Sequence, residues 1–180
     1  MNKNIKVNAA ILIIGNEILS GRTQDTNTST LAIWLNSIGV KVGEVRVIPD
    51  IEKTIIDTVN LLRKNYSYVF TTGGIGPTHD DITAQSISKA FDLKYEIHKE
   101  AFKILEAYYK LGEFNEGRQK MTWMPSNANL ILNPTSGAPG FNVENVFCLP
   151  GVPSILKSML GGLKNKIIGG EPIKSLTISL

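Results

Sequence analysis

The residues best suited to chemistry stand in one stretch of the chain, Thr72-Gly73-Gly74-Ile75-Gly76-Pro77-Thr78-His79-Asp80-Asp81. A glycine-rich turn between a strand and a helix bares backbone N–H groups, and the positive end of the helix dipole points the same way. Together they favour a phosphate oxyanion. Gly73, Gly74 and Gly76 allow backbone angles and close approaches that larger side chains forbid. Thr71, Thr72 and Thr78 add hydroxyl donors. The stretch lacks both G-x-x-x-x-G-K-[ST] and G-x-G-x-x-G, so it is neither a P-loop nor the dinucleotide fingerprint; a tight turn without a ligand is the alternative. Two carboxylates, Asp80 and Asp81, would repel a phosphate unless a cation stood between them. A divalent ion such as Mg²⁺ bridges carboxylate and phosphate oxygens, and K⁺ is a second candidate. The plainer reading is that one Asp caps the following helix. His79 faces either the ligand or solvent.

Other polar groups fall where strands should end. Gly15-Asn16-Glu17 follows an apolar run, and Asp50 follows another. In parallel sheets ligands sit at the carboxyl ends of the strands, so topology brings Glu17, Asp50 and Asp81 to one edge although sequence keeps them apart. Leu149-Pro150-Gly151-Val152-Pro153 and Ser136-Gly137-Ala138-Pro139-Gly140 could each present N–H groups to an anion, or be ordinary turns. Trp123, with Met121 and Met124, reads as core or interface. Cys148, inside Val146-Phe147-Cys148-Leu149, reads as a buried thiol.

The elements that must position these groups are legible from periodicity. Residues 7–14 form a continuous apolar run, the mark of a strand covered on both faces. A helix is predicted over 29–38, where Leu31, Trp34, Leu35 and Ile38 recur at helical spacing, with Gly39 as its stop. Residues 40–48 alternate as a second strand. Asp50 is placed as the N-cap of a helix reaching to Asn65, with Ile51, Ile55, Val59 and Leu62 on one stripe. Residues 68–71 form a third strand, and a helix is predicted from Asp81 or Ile82 to Phe91. Helices are expected over 102–111 and 113–122, strands over 129–132 and 140–149, the latter a hairpin turning at Glu144-Asn145. Ser154 is placed as the cap of a last helix ending near Lys166, and 175–180 alternates like a strand. Such order argues for an α/β fold with a mainly parallel sheet between helices.

Composition bounds the class. At 180 residues with 42% hydrophobic and 19% charged residues, the chain suits one globular domain. A net charge of +3, scattered along the chain, gives no support to nucleic-acid binding. A single cysteine excludes an intramolecular disulfide and fits a reducing, cytoplasmic setting. No apolar run approaches the ~18 residues of a bilayer span, and the run before Gly15 is too short for a signal peptide.

Six motifs occur in order: Gly15 to Gly21, Asp25-Thr26-Asn27, Val47-Ile48-Pro49-Asp50, the Thr71 to Asp81 loop, Ala138-Pro139-Gly140-Phe141 and Leu149-Pro150-Gly151-Val152-Pro153. In these the chain resembles the molybdopterin-binding (MoaB/Mog) domain, and within it the CinA-like, competence/damage-inducible branch. The resemblance covers residues 7–168 and implies a three-layer α/β/α fold, with residues 1–168 as the domain and 169–180 the start of a following segment, cut short or naturally brief. In Mog-type relatives, acidic residues matching Asp50 and Asp81 serve adenylylation of molybdopterin. In the CinA-type branch the implied activity is metal-dependent hydrolysis of the diphosphate of ADP-ribose. Asp80, where Mog-type loops usually carry a basic residue, favours that branch. The expectation is therefore a nucleotide pyrophosphatase with Asp81, Asp80, Asp50 and Glu17 as catalytic residues and Asp81 and Glu17 as metal ligands. Thr72, Gly73, Gly74, Gly76, Pro77, Thr78, Asn27, Ser136, Gly137, Pro150 and Gly151 are the expected ligand contacts. Pterin adenylylation and a non-catalytic nucleotide- or pterin-binding module are the alternatives. A homo-oligomer is expected from the apolar stripe Leu176, Ile178 and Leu180, a dimer ranked ahead of a trimer.

Overall fold

The computed structural model describes residues 7–170, so the alternating segment 175–180 and the assembly argued from it lie outside the described residues. The first strand, β1 (Asn8–Ile14), is buried along almost its whole length. It lies between β2 (Lys41–Ile48) and β3 (Tyr68–Thr72), parallel to both. Strand β8 (Val146–Leu149) continues the parallel set beside β3. Beyond it β7 (Gly140–Val143) pairs antiparallel with β8, and β6 (Asn129–Ile131) antiparallel with β7, completing a six-stranded sheet in the order β2-β1-β3-β8-β7-β6. The expected hairpin at Glu144-Asn145 joins β7 to β8, with Glu144 at φ 47°.

Period-two alternation along β1 explains the layers. Ala10, Leu12 and Ile14 face the helices α3 (Glu52–Asn65) and α4 (Thr83–Ala90), packing with Ile55, Val59, Leu62 and Ile87. Ala9, Ile11 and Ile13 face α2 (Asn27–Ser37) and α7 (Pro153–Leu163), packing with Leu31, Leu35, Leu156 and Met159. Phe70 and Phe147 stack at 5.1 Å between ring centres on this second face. Helices on both faces and a mainly parallel sheet make the expected three-layer α/β/α architecture.

Several local expectations are corrected. Asp50 does not cap α3: the N-cap is Ile51, without a side-chain cap bond. Nor does Asp81 cap α4, whose N-cap is Ile82. Ser154 does not cap α7, which begins at Pro153 after Val152; a proline at the first helical position needs no partner for an N–H it lacks. The helix expected over 102–111 is α5 (Lys99–Tyr108), started earlier because the His98 Nδ1 accepts from the Ala101 N–H. The one expected over 113–122 shrinks to α6 (Glu116–Lys120), capped by Asn115. Residues 16–30, for which no element before 29 is predicted, hold a short helix α1 (Asn16–Leu19) and the start of α2. A second, two-stranded sheet was not foreseen: β4 (Tyr95–Ile97) pairs antiparallel with β5 (Trp123–Pro125).

Candidate functional site

Strands β1, β2, β3 and β8 are parallel, so their carboxyl ends share one edge of the sheet, and each is followed by a motif singled out from sequence. Backbone bonds tie these ends together. The Gly15 N–H donates to the Ile48 carbonyl at 3.1 Å, and the Gly73 N–H to the Leu149 carbonyl at 3.1 Å. The second bond corrects one expectation: the Gly73 N–H is engaged within the fold, which leaves residues 74–76 as the loop's candidate anion donors. Gly73 stands at φ +96°, and a Cβ there would lie 2.2 Å from the Ile14 carbonyl oxygen. Only glycine lets the loop close on the end of β1. Buried Thr83 pins the loop from the far side. Its Oγ1 donates to the Gly73 carbonyl at 3.0 Å and its N–H to the Gly74 carbonyl at 2.9 Å.

Around this edge lie three adjoining depressions. The central one, about 420 Å³, is acidic: Glu17, Asp50, Asp80 and Asp81 line it with Gly74 and Thr78, and Arg22 is the cation among them. Topology thus brings together the four carboxylates expected from sequence. Asp50 Oδ2 accepts from the Asn16 N–H at 2.9 Å, which fixes the turn after β1 to the end of β2. Asp81 Oδ2 accepts from both the N–H and the hydroxyl of Thr78, at 2.8 and 2.7 Å. Asp80 pairs with His79 at 2.7 Å, both well exposed. Burial holds the Asp50 carboxyl above its usual range; the Asn16 N–H pulls it down, and the charges of Glu17 and Asp81 push it up further.

On one side the central cavity adjoins a small cleft of about 60 Å³, with Glu17 and Ile14 in both walls. Asn27, Thr72, Gly73 and Gly151 line this cleft. Asn27 is 6% exposed. Its Nδ2 donates to the Gly151 carbonyl at 2.8 Å, which orients the amide, and its Oδ1 has no partner. A buried acceptor without a donor is costly; a ligand hydroxyl or amine would relieve it. On the other side Asp81 is also a wall of a tight depression with Gly76, Tyr95, Lys120 and Trp123. The Lys120 ammonium donates to the Thr78 carbonyl. Among the other expected contacts, Ser136 bonds Asn133 and Gly137 packs on the Tyr108 ring, and these two, with Pro77 and Pro150, line none of the three depressions. Sequence reasoning missed Lys120 and Arg22, which carry no motif, and Thr83, whose only signal is its place at the helix start.

Among the described residues no three His, Cys, Asp or Glu side chains converge closely enough to hold a metal by themselves. The donor set nevertheless suits a hard cation. Glu17, Asp50 and Asp81 surround one cavity, and Asn16 and Thr78 donate to the Oδ2 atoms of Asp50 and Asp81. An oxygen-seeking ion held by one or two carboxylates and by ligand phosphates fits such a cavity. Glu17 and Asp81 would hold it.

The chain is similar to known proteins along most of its length. Residues 10–169 match the family described as probable molybdopterin binding domain. A protein of Archaeoglobus fulgidus is 37% identical over 161 residues, covering 89% of this chain and 69% of its own length. One from Aeropyrum pernix is 37% identical over 158 residues, covering 84% of this chain and 59% of its own. The chain thus spans about six- to seven-tenths of the length of these curated relatives. The crystal structure of a protein named CinA, of unknown function, from Thermoplasma acidophilum superposes with a TM-score of 0.82 at 31% identity, covering 89% of this chain and 99% of that one. The tungsten cofactor synthesizing protein MoaB of Pyrococcus furiosus, at 20% identity and TM-score 0.57 over 90% of this chain and 92% of its own, shares the fold.

Proposed function

The chain belongs to the molybdopterin-binding domain family, with CinA and MoaB/Mog proteins as structural neighbours, and from that premise we propose that it hydrolyses the diphosphate bond of a nucleotide, ADP-ribose first among candidates, with a divalent cation. The observation that carries the reading is the acidic cavity flanked by a depression on each side. A diphosphate with a group at either end has that shape.

In this reading Glu17 and Asp81 hold the cation. Bound there, it supplies charge neutralisation of the diphosphate and Lewis acidity. The N–H groups of residues 74–76 face the phosphate oxygens and stabilise charge that builds up on them. Asp50, a half-buried carboxyl held in place by the Asn16 N–H and raised in pKa by desolvation, is the better placed of the acidic residues to accept a proton. Water oxygen bonds to one phosphorus, the bridging P–O bond breaks, the water proton passes to Asp50, and the bridging electron pair leaves with the second phosphate. AMP and ribose 5-phosphate are the products from ADP-ribose. Asp80, paired with His79 at the rim, orients water or repels a second anionic substrate.

The test is incubation with ADP-ribose, FAD and NAD under Mg²⁺, Co²⁺ and K⁺, following AMP. AMP release abolished by Asp81→Ala supports the reading; folded protein that releases none from any of them overturns it and leaves a binding module. The family description favours one second reading, adenylylation of a pterin. Adenylylated product from ATP and molybdopterin, with ADP-ribose left intact, would replace the first reading with the second.

A further inference from the structure

The two depressions flanking the acidic cavity differ in chemistry. The Asn27 cleft has no aromatic wall and sets the unpartnered Asn27 Oδ1 among isoleucines, threonines and backbone. The opposite one is walled by Tyr95 and Trp123, whose rings lie 5.4 Å apart at 45°. Trp123 is 38% exposed although it stands in a strand, whereas its neighbour Met124 is 2% exposed. The indole therefore stands at the surface beside the loop. Only about 10 Å³ is enclosed here, so a ring would lie over the indole and not enter a slot. Lys120 lines the same depression and donates to the Thr78 carbonyl, which sets a positive charge between the aromatic wall and the acidic cavity. A phosphate attached to a ring on Trp123 would pass that charge on its way to Asp81.

We propose that the exposed face of Trp123, backed by Tyr95, is the subsite for the planar ring of the ligand, with Lys120 meeting the phosphate next to that ring. The proposal rests on the reading of the ligand as a nucleotide and gives it a direction along the groove: base at Trp123, hydroxyl-bearing end at Asn27. Every nucleobase has a face that can stack on an aromatic side chain, and such stacking survives changes of base.

The chain has two tryptophans, and the other, Trp34, packs edge-on against Phe70 on the far face of the sheet. Emission from Trp123 can thus be isolated by difference. The parent protein is titrated with AMP and with ribose 5-phosphate, a phosphate without a ring, in fluorescence and calorimetry. AMP should quench emission saturably and ribose 5-phosphate should not. In Trp123→Phe the quench should vanish while AMP affinity stays within about threefold; in Trp123→Ala that affinity should fall roughly tenfold, with ribose 5-phosphate unchanged. Failure of AMP to bind, AMP binding without a change in emission, or equal weakening of both ligands in Trp123→Ala would each overturn the proposal. Melting curves of both variants guard against loss of fold. Binding is read without turnover, so protein that behaves as expected here yet releases no AMP from ADP-ribose refutes hydrolysis and keeps the subsite. Hydrolysis with an unchanged KM in Trp123→Ala does the reverse.

Discussion

On the proposed reading Asp81 has two separable duties, and a pair of substitutions divides them. Its Oδ2 clamps the loop by accepting from the Thr78 N–H and hydroxyl at 2.8 and 2.7 Å, and its charge faces the central cavity. Asparagine keeps an acceptor oxygen for Thr78 and removes the charge; alanine removes both. Thr78 is exposed, so each bond contributes toward the lower part of the usual 0.5–1.5 kcal/mol, about 1–2 kcal/mol for the two. For a chain of this size that corresponds to a fall in Tm of about 2–8 °C in Asp81→Ala, against less than about 2 °C in Asp81→Asn. Activity should not follow the same order. Charge held on a phosphoryl group through a metal is worth several kcal/mol, so both variants should lose at least about a hundredfold in kcat/KM, or about 2.7 kcal/mol. Thermal unfolding by circular dichroism and AMP release from ADP-ribose read the two effects independently. Mg²⁺ should raise the Tm of the parent and not of Asp81→Asn. Asp81→Asn with activity within a few-fold of the parent would refute the assignment of charge, and an unchanged Tm in Asp81→Ala would refute the clamp.

Three further outcomes follow from the geometry. Gly73→Ala would force a Cβ to 2.2 Å from the Ile14 carbonyl oxygen at φ +96°; left-handed strain of about 1–2 kcal/mol and the displaced strand end together should cost at least about 3 kcal/mol, some 6–12 °C in Tm, and a melt within about 2 °C of the parent would overturn it. Asp50 has a raised folded-state pKa, so its ionised form costs stability above that pKa, the cost fades as pH falls through it, and it is gone below the unfolded value of 3.8. Asp50→Asn should therefore be more stable than the parent at neutral pH with the gap closing toward acid, and thermal melts across that range giving a constant gap would contradict this. Burial pushes the Cys148 thiol up to about 12, so thiol reagents should label it only at the rate of unfolding; rapid labelling of native protein would disprove the burial.

What could be read from sequence, and what could not, divides by the range of the interactions. The apolar run of β1, the alternation of β2 and the β-branched and aromatic residues of β3 declare themselves locally, and the acidic residues after them could be assigned to one edge by topology alone. Strands β4 and β5 are three residues each and are defined only by each other across the intervening α5 and α6, so no local period marks them. Asp50 follows a strand and precedes a helix, which locally reads as a cap; its partner is the Asn16 N–H on another strand's turn. His98 caps α5 although histidine is an uncommon cap. Lys120 reaches the site only because α6 folds back over the loop to the Thr78 carbonyl. Trp123 was legible as a large aromatic residue but not as an exposed one.

The Asp81 carboxylate is a shared wall, with the acidic cavity on one side and the aromatic depression on the other. Two ligands that press on one wall cannot bind independently. A cation that fixes the carboxylate for its own coordination sets the geometry met by a ring and its phosphate, and by linkage the ring must change the affinity for the cation by the same factor. On the proposed reading cation and nucleotide would then each reset the affinity for the other, and the domain would register the two jointly and not separately.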